Sequence, residues 1–236
     1  MPRRVYAPAA GLETWKAMLA DTETQWVRGA SAFETAVFWE KGARTPRGLH
    51  PRLAELVDQD PAWRSSSVIA AFPEHRVSLP GGSRASQNDA WVMLRGASGL
   101  LSLAVEGKAG ESFAETVGEW MKKPTDGRVE RLEFLRELLG IEAPVNGALR
   151  YQLLHRAASA VIEATRIGAV SSGIVVASFK SDQRSKDDFA AFAKALGARF
   201  VDGALIWATT VKTCPLFLAW LDLPAATDAD IAAATA

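Results

Sequence analysis

Two acids and a lysine stand where neighbouring strands could bring them together. Glu106-Gly107-Lys108 closes the apolar run at residues 100–108 (LLSLAVEGK), and Asp89 opens the run at residues 89–94 (DAWVML). Side chains of a strand alternate between faces with period two, so Glu106 and Lys108 project from one side while Gly107 points the other way and takes no space. The intervening Arg95-Gly96-Ala97-Ser98-Gly99 has the glycines of a hairpin connection. In a hairpin the start of one strand lies beside the end of its partner, so Asp89, Glu106 and Lys108 are expected to converge at one edge. Two carboxylates on a rigid edge suit Mg²⁺, with Mn²⁺ as a substitute, because a hard cation takes oxygen ligands and keeps waters that a phosphate can replace. Such a cation acidifies a bound water and stabilises charge developing on the phosphate, and Lys108 would orient that water or steady the transition state. These residue types at this spacing point to phosphodiester hydrolysis.

The elements that must hold this edge follow from periodicity. Residues 31–40 (SAFETAVFWE) read as a helix with Ser31 as N-cap and Glu34 in the first turn, and residues 51–57 as a second helix opened by Pro51. Residues 66–72 (SSVIAAF), closed by Pro73, fit a first strand, and Leu79-Pro80-Gly81-Gly82-Ser83 is turn chemistry leading to Asp89. Residues 130–139 (ERLEFLRELL) predict a helix ending at Gly140, and residues 149–167 a longer amphipathic helix ending at Gly168, with Gln152, Arg156, Ser159 and Glu163 on its polar stripe. A strand at 169–179, a helix at 187–196, strands at 204–208 and 216–221, and a fraying tail after Pro224 complete the reading.

Bulk properties limit the function classes. The 236 residues suit one domain with decorated ends, its core at about residues 31–222, and 48% hydrophobic content with eight Trp and ten Phe supplies a packed interior. Lys plus Arg equals Asp plus Glu at 27 each, so a nucleic-acid contact would need a local basic patch rather than a net charge. One cysteine, Cys214, excludes an internal disulfide and a Cys-based zinc cluster and suits a reducing compartment, with the cytoplasm as the expected location. The Met-Pro-Arg-Arg start lacks the apolar stretch of a signal peptide, and no apolar run approaches the roughly 20 residues that span a bilayer, so no membrane association is expected.

Asp89, Glu106-Gly107-Lys108 and Gln152 within Tyr151-Gln152-Leu153-Leu154-His155-Arg156 resemble the PD-(D/E)xK nuclease superfamily. That family's pattern is an acid at one strand start, an acid-x-lysine at the end of the next, and a following helix with a polar residue. Asn88 stands where the nominal pattern has Pro. The phrases LPGG, VEGK and YQLLHR are also similar to a group of uncharacterised bacterial members. The resemblance implies an α/β restriction-endonuclease-like core, a mixed central β-sheet flanked by helices. It implies Asp89 and Glu106 as metal ligands, Lys108 as catalytic lysine and Gln152 as a supporting polar residue, with nucleic acid, foremost DNA, as partner. Superfamily members that cut both strands often dimerise, which extends the expectation to a homodimer. Glu34 and Glu111 are further acids for such a site, and Arg156 a further phosphate contact.

Each residue also has a plainer reading. Asp89 could cap a strand-initiating turn, and Glu106 with Lys108 could be a solvated surface pair worth little. Glu34 and Glu111 could be helix-start acids, and Gln152 and Arg156 ordinary helix surface. Trp39, Trp91, Trp120, Trp207 and Trp220 sit in apolar patterns and read as core, while Arg84, Lys122, Lys123, Lys180 and Arg184 are candidates for a basic rim. No H-E-x-x-H or G-x-G-x-x-G occurs, and Ala109 stands where a P-loop needs a hydroxyl. A binding protein on the same fold, without turnover, is the alternative to a nuclease.

Overall fold

The computed structural model describes residues 11–235, so the start at residues 1–4 read above for a leader lies outside them. The described chain runs α1 (Leu12–Met18), α2 (Thr22–Gln25), α3 (Ser31–Ala43), α4 (Pro51–Val57), β1 (Ser67–Val77), β2 (Ser86–Gly96) and β3 (Gly99–Lys108). It continues α5 (Val117–Trp120), α6 (Asp126–Leu139), α7 (Tyr151–Ile167), β4 (Ser171–Ser178), α8 (Gln183–Ala195), β5 (Leu205–Trp207), β6 (Leu216–Asp222) and α9 (Asp228–Thr235). The strands form one mixed sheet in the order β1-β2-β3-β4-β6-β5. β1, β2 and β3 are an antiparallel meander, β3, β4 and β6 are parallel, and β5 closes the far edge antiparallel to β6. The fold is therefore α/β with helices on both faces, as a parallel segment demands.

Alternation along β3 separates two cores. Leu101, Leu103 and Val105 face a cluster with Trp39 and Val37 of α3 and Leu53 of α4. Ala104 faces the other cluster, with Leu153, Ala157 and Ala160 of α7 and Phe189 of α8. Glu106 and Lys108 share the α7 side by the same period. α6 and α7 stop where Gly140 and Gly168 adopt the left-handed conformation, at φ 65° and 64°. The hairpin turn is tighter than the five-residue connection suggested, because Gly96 pairs with Gly99 and leaves only Ala97 and Ser98 in the loop.

Several boundaries differ from the sequence reading for identifiable reasons. β1 passes through Pro73 and ends at Val77, because β1 is an edge strand and a proline there removes no needed ladder bond. Asp89 lies inside β2, which begins three residues earlier at Ser86. Ser31 is the first residue of α3 and Ala30 its N-cap, with no side-chain cap bond. The tail after Pro224 does not fray. It forms α9 against α3, with Ala234 fully buried, Asp230 paired with Lys41 and Arg44 donating to the Ala234 carbonyl. Trp39, Trp91, Trp120 and Trp220 are buried, whereas Trp207 is partly exposed and donates to Asp60. Among the described residues no helix is long and apolar enough to cross a membrane.

Gly107 sets how closely α3 approaches the end of β3. A Cβ there would stand 2.0 Å from Thr35 Oγ1 and 3.3 Å from Thr35 Cβ. Gly107→Ala is expected to destabilise the fold by about 1–3 kcal/mol through overpacking. Adding Thr35→Ala, which removes the nearest atom, should restore most of the lost urea midpoint; an equally unstable double variant would show that the helix itself blocks the position.

His50 caps α4 by accepting the Arg52 N–H on Nδ1, and its ring stacks on Phe38 at 4.5 Å. Burial, then the Lys41 charge, lowers its pKa to about 4. The unfolded chain takes up this proton near the ordinary ~6.5, above the folded value, so the stability held by neutral His50 is complete above that pH and is lost as pH falls toward 4. Thermal midpoints should accordingly decline between pH 6.5 and 5. His50→Asn, which keeps a capping side chain without titrating there, should flatten that decline.

Candidate active site at the ends of the second and third strands

The ladder between β2 and β3 runs from Gly96↔Gly99 to Ala90↔Val105, and one further step sets Asp89 against Glu106. There the strands part, and the Asp89 carboxylate fills the gap, its Oδ2 accepting the Gly107 backbone N–H at 2.7 Å. The sheet thus opens at the point where the two acids meet, and the hydrogen bond that opening would orphan is taken by the acid itself.

Glu106 is the hub. Its Oε1 accepts from Lys108 Nζ at 2.8 Å and from Gln152 Nε2 at 2.6 Å, and its Oε2 accepts from Arg156 Nε. Lys108 also donates to Gln152 Oε1 at 3.1 Å and lies 5.1 Å above the Phe113 ring. Gln152 and Arg156 are four apart on α7, hence on one face of the helix, which explains why both reach Glu106. Glu106, Lys108 and Arg156 are exposed by only 2%, 6% and 7%, so the surface-pair reading does not hold for them. Arg156 Nη1 also donates to Ser86 Oγ at 3.3 Å, and Ser86 Oγ lies 2.8 Å from His155 Nδ1.

The electrostatics follow from three acids around two cations. Burial would raise the Glu106 pKa, but Arg156 and Lys108 outweigh it and hold the carboxylate well below the usual range. Asp89 goes the other way, pushed up by burial and by the Glu106 charge. Glu74 is also raised, chiefly by burial, although Gln87 and Arg156 oppose it. Lys108 and Arg156 are both raised despite burial, by Glu106 above all.

Glu74 belongs to this site, and local sequence pattern hides it, because Pro73 reads as a strand end whereas β1 continues to Val77. Together with Gln87, Asp89, Glu111 and Arg156 it lines a cavity of about 400 Å³ that also borders Ser31 and Ala32 of α3. Glu111 is exposed and accepts the Ala109 N–H, so it stands at the cavity rim. Glu34 is not drawn into the site. It is 1% exposed and accepts the N–H groups of Gly29 and Ala226, which fastens the start of α3 to the segment before α9. Among the rim candidates, exposed Arg84 borders the site from the side of Gln152.

A divalent cation suits the donor chemistry at Asp89, a carboxylate that lines an accessible cavity and whose proton affinity is raised by burial first and by the Glu106 charge second. Glu106 could join it only by releasing Arg156, Lys108 or Gln152. Among the described residues no group of three or more His, Cys, Asp or Glu is arranged to hold a metal ion.

A family model described as "Domain of unknown function (DUF6946)" matches residues 8–225. No curated protein and no solved structure matches the chain.

Proposed function

From a chain that belongs to the DUF6946 family, whose description carries no activity, we propose a Mg²⁺-dependent nuclease-like function on a restriction-endonuclease-like core of the PD-(D/E)xK kind. The observation that carries it is the convergence of Asp89, Glu106, Lys108 and Gln152, three of them joined by direct hydrogen bonds and the fourth facing Glu106 across the parting of β2 and β3. The order of α3, β1, β2, β3, α7 and β4 along the chain, with α4 before β1 and α5 and α6 before α7, and with β3 parallel to β4, supports the same reading.

In this reading Asp89 and Glu106 would hold the cation, Mg²⁺ or Mn²⁺, which would supply acidification of a water and neutralisation of charge on the phosphate. Lys108 stays charged against the opposing effect of burial, because Glu106 raises its proton affinity, and it acts as a fixed positive group toward the phosphate. Gln152 fixes the Lys108 ammonium and the Glu106 carboxylate in one geometry, since its amide serves both. Arg156 pairs with Glu106 and favours the ionised form of all three acids. The polymer is nucleic acid, with DNA proposed first, and the protein a cytoplasmic one that acts alone or as a homodimer.

A second reading, a nuclease-fold binding protein without turnover, is favoured by one specific fact: both Glu106 oxygens are already engaged by Lys108, Gln152 and Arg156. Titration calorimetry with Mn²⁺ separates the two. The nuclease reading expects binding by the wild type that Asp89→Ala abolishes, together with metal-dependent cleavage of DNA or RNA. A folded wild type that binds no metal would move the assignment to the non-catalytic form.

A further inference from the structure

Arg156 also borders a second chamber, on the side of Tyr151 and Gln152, with a volume of about 210 Å³. Its polar wall is Arg84, Arg131, Tyr151, Gln152, His155 and Arg156, and Glu115 is the one carboxylate that lines it. Three guanidinium groups thus face one exposed acid.

Those charges are not cancelled elsewhere to the same degree. Arg131 is 6% exposed, and its Nε and Nη2 donate to the neutral carbonyls of Pro80, Leu79 and Gly82. It holds the Leu79-Pro80-Gly81-Gly82 turn against α6 with no carboxylate among those partners. Gly81 allows that approach, since a Cβ there would meet the Gly127 carbonyl at 1.9 Å. Arg84 follows this turn, is exposed and makes no hydrogen bond or ion pair among the described residues. Arg156 is partly neutralised by Glu106. His155 registers the resulting field: burial first, then the charges of Arg156, Arg131 and Lys108, lower its pKa to about 3. Its Nδ1 sits beside the Ser86 hydroxyl and Arg156 Nη1, so the neutral ring carries its proton on Nε2 as a donor.

We propose that this chamber is a binding site for a phosphate monoester, gripped by Arg84 at the mouth with Arg131, Tyr151, His155 and Arg156 behind it. Guanidinium forks match phosphate oxygens, and a dianion gains most from a site where several fixed cations face one acid. The volume amounts to about seven waters at ~30 Å³ each, and it falls below the ~300–1,000 Å³ of ordinary small-molecule sites. It therefore takes the phosphate group and leaves the group esterified to it outside. Two sources share this chemistry: the phosphorylated end of a nucleic-acid strand and a small phosphorylated molecule. Binding rests on the chamber's own residues; only its service to strand cleavage rests on the nuclease reading, Arg156 lining both cavities and Gln152 joining the chamber to Glu106 and Lys108.

Inorganic phosphate, titrated calorimetrically into the full chain in chloride buffer, tests the site. Saturable binding is expected, weakened about tenfold or more by Arg84→Ala, less by Arg84→Lys, and unaffected by Asp89→Ala. Arg84 is exposed, so these variants should fold, and Tyr151→Phe provides a second variant that keeps the ring packing. A 5′-phosphorylated oligonucleotide that displaces phosphate better than its 5′-hydroxyl twin identifies a strand end. Twins that compete equally poorly, with phosphate still bound, identify a small phosphorylated molecule. Absence of saturable phosphate binding, or binding indifferent to both Arg84→Ala and Tyr151→Phe, overturns the proposal. Phosphate binding without metal-dependent cleavage would leave this site standing and remove the nuclease reading instead.

Discussion

Glu106→Ala is expected to cost the fold about 3–5 kcal/mol, the range for breaking a buried ion pair by removing one partner. Lys108 and Arg156 are both buried and both meet on this carboxylate, so its loss leaves two cations desolvated and facing one another. Part of the loss should be offset by Asp89. The Glu106 charge is one of the two leading reasons that Asp89 holds its proton, so without it Asp89 ionises more readily toward Arg156. Urea unfolding at neutral pH measures the net effect. Adding Arg156→Met removes the second stranded charge and should recover a substantial share, a coupling that a double-mutant cycle reads directly. A single-variant loss under about 1 kcal/mol would mean that Glu106 is no more than the solvated strand-end acid of the plainer reading. Because the expected loss is structural, reduced activity in Glu106 variants would not by itself identify a catalytic carboxylate.

The difference between what sequence exposes and what it hides is physical. Strand alternation places Glu106 and Lys108 on one face whatever surrounds them, and a two-glycine connection makes the hairpin that brings Asp89 opposite, so this part of the site was readable from local pattern. Gln152 was readable only through a family pattern, since nothing in an amphipathic helix distinguishes a polar residue aimed at a buried carboxylate from one aimed at water. Arg156 shows the same ambiguity: it lies one turn on, and its burial depends on the tertiary docking of α7 over β3. Glu74 was hidden by Pro73, because whether a proline ends a strand depends on whether that strand is an edge, which is a property of the whole sheet. α9 was hidden by composition. Its Ala residues favour a helix, but eight residues are too few to hold one alone, and contacts made by Lys41, Arg44 and Arg28 from the other end of the chain keep it in place.

Lys108→Met separates the nuclease reading from the binding reading most sharply. The change keeps the length of the side chain over Phe113 and removes only the ammonium, and Glu106 keeps Arg156 and Gln152 as partners. Stability should therefore fall far less than in Glu106→Ala, since one buried carboxylate still faces one buried guanidinium. If Lys108 is the fixed positive group toward the reacting phosphate, kcat for cleavage should drop by about 10²–10³-fold, the scale for losing one preorganised electrostatic contact in a transition state. KM should change little, because Asp89 and the cavity it lines are untouched, while Mn²⁺ affinity should hold or rise, because Glu106 loses one of the cations that compete with the metal for it. Nucleic acid retained at wild-type affinity with turnover lost would locate Lys108 in the chemistry. Turnover within a few-fold of wild type would show that the ammonium serves only to neutralise Glu106, and the same residues would then be the ionic core of a binding protein.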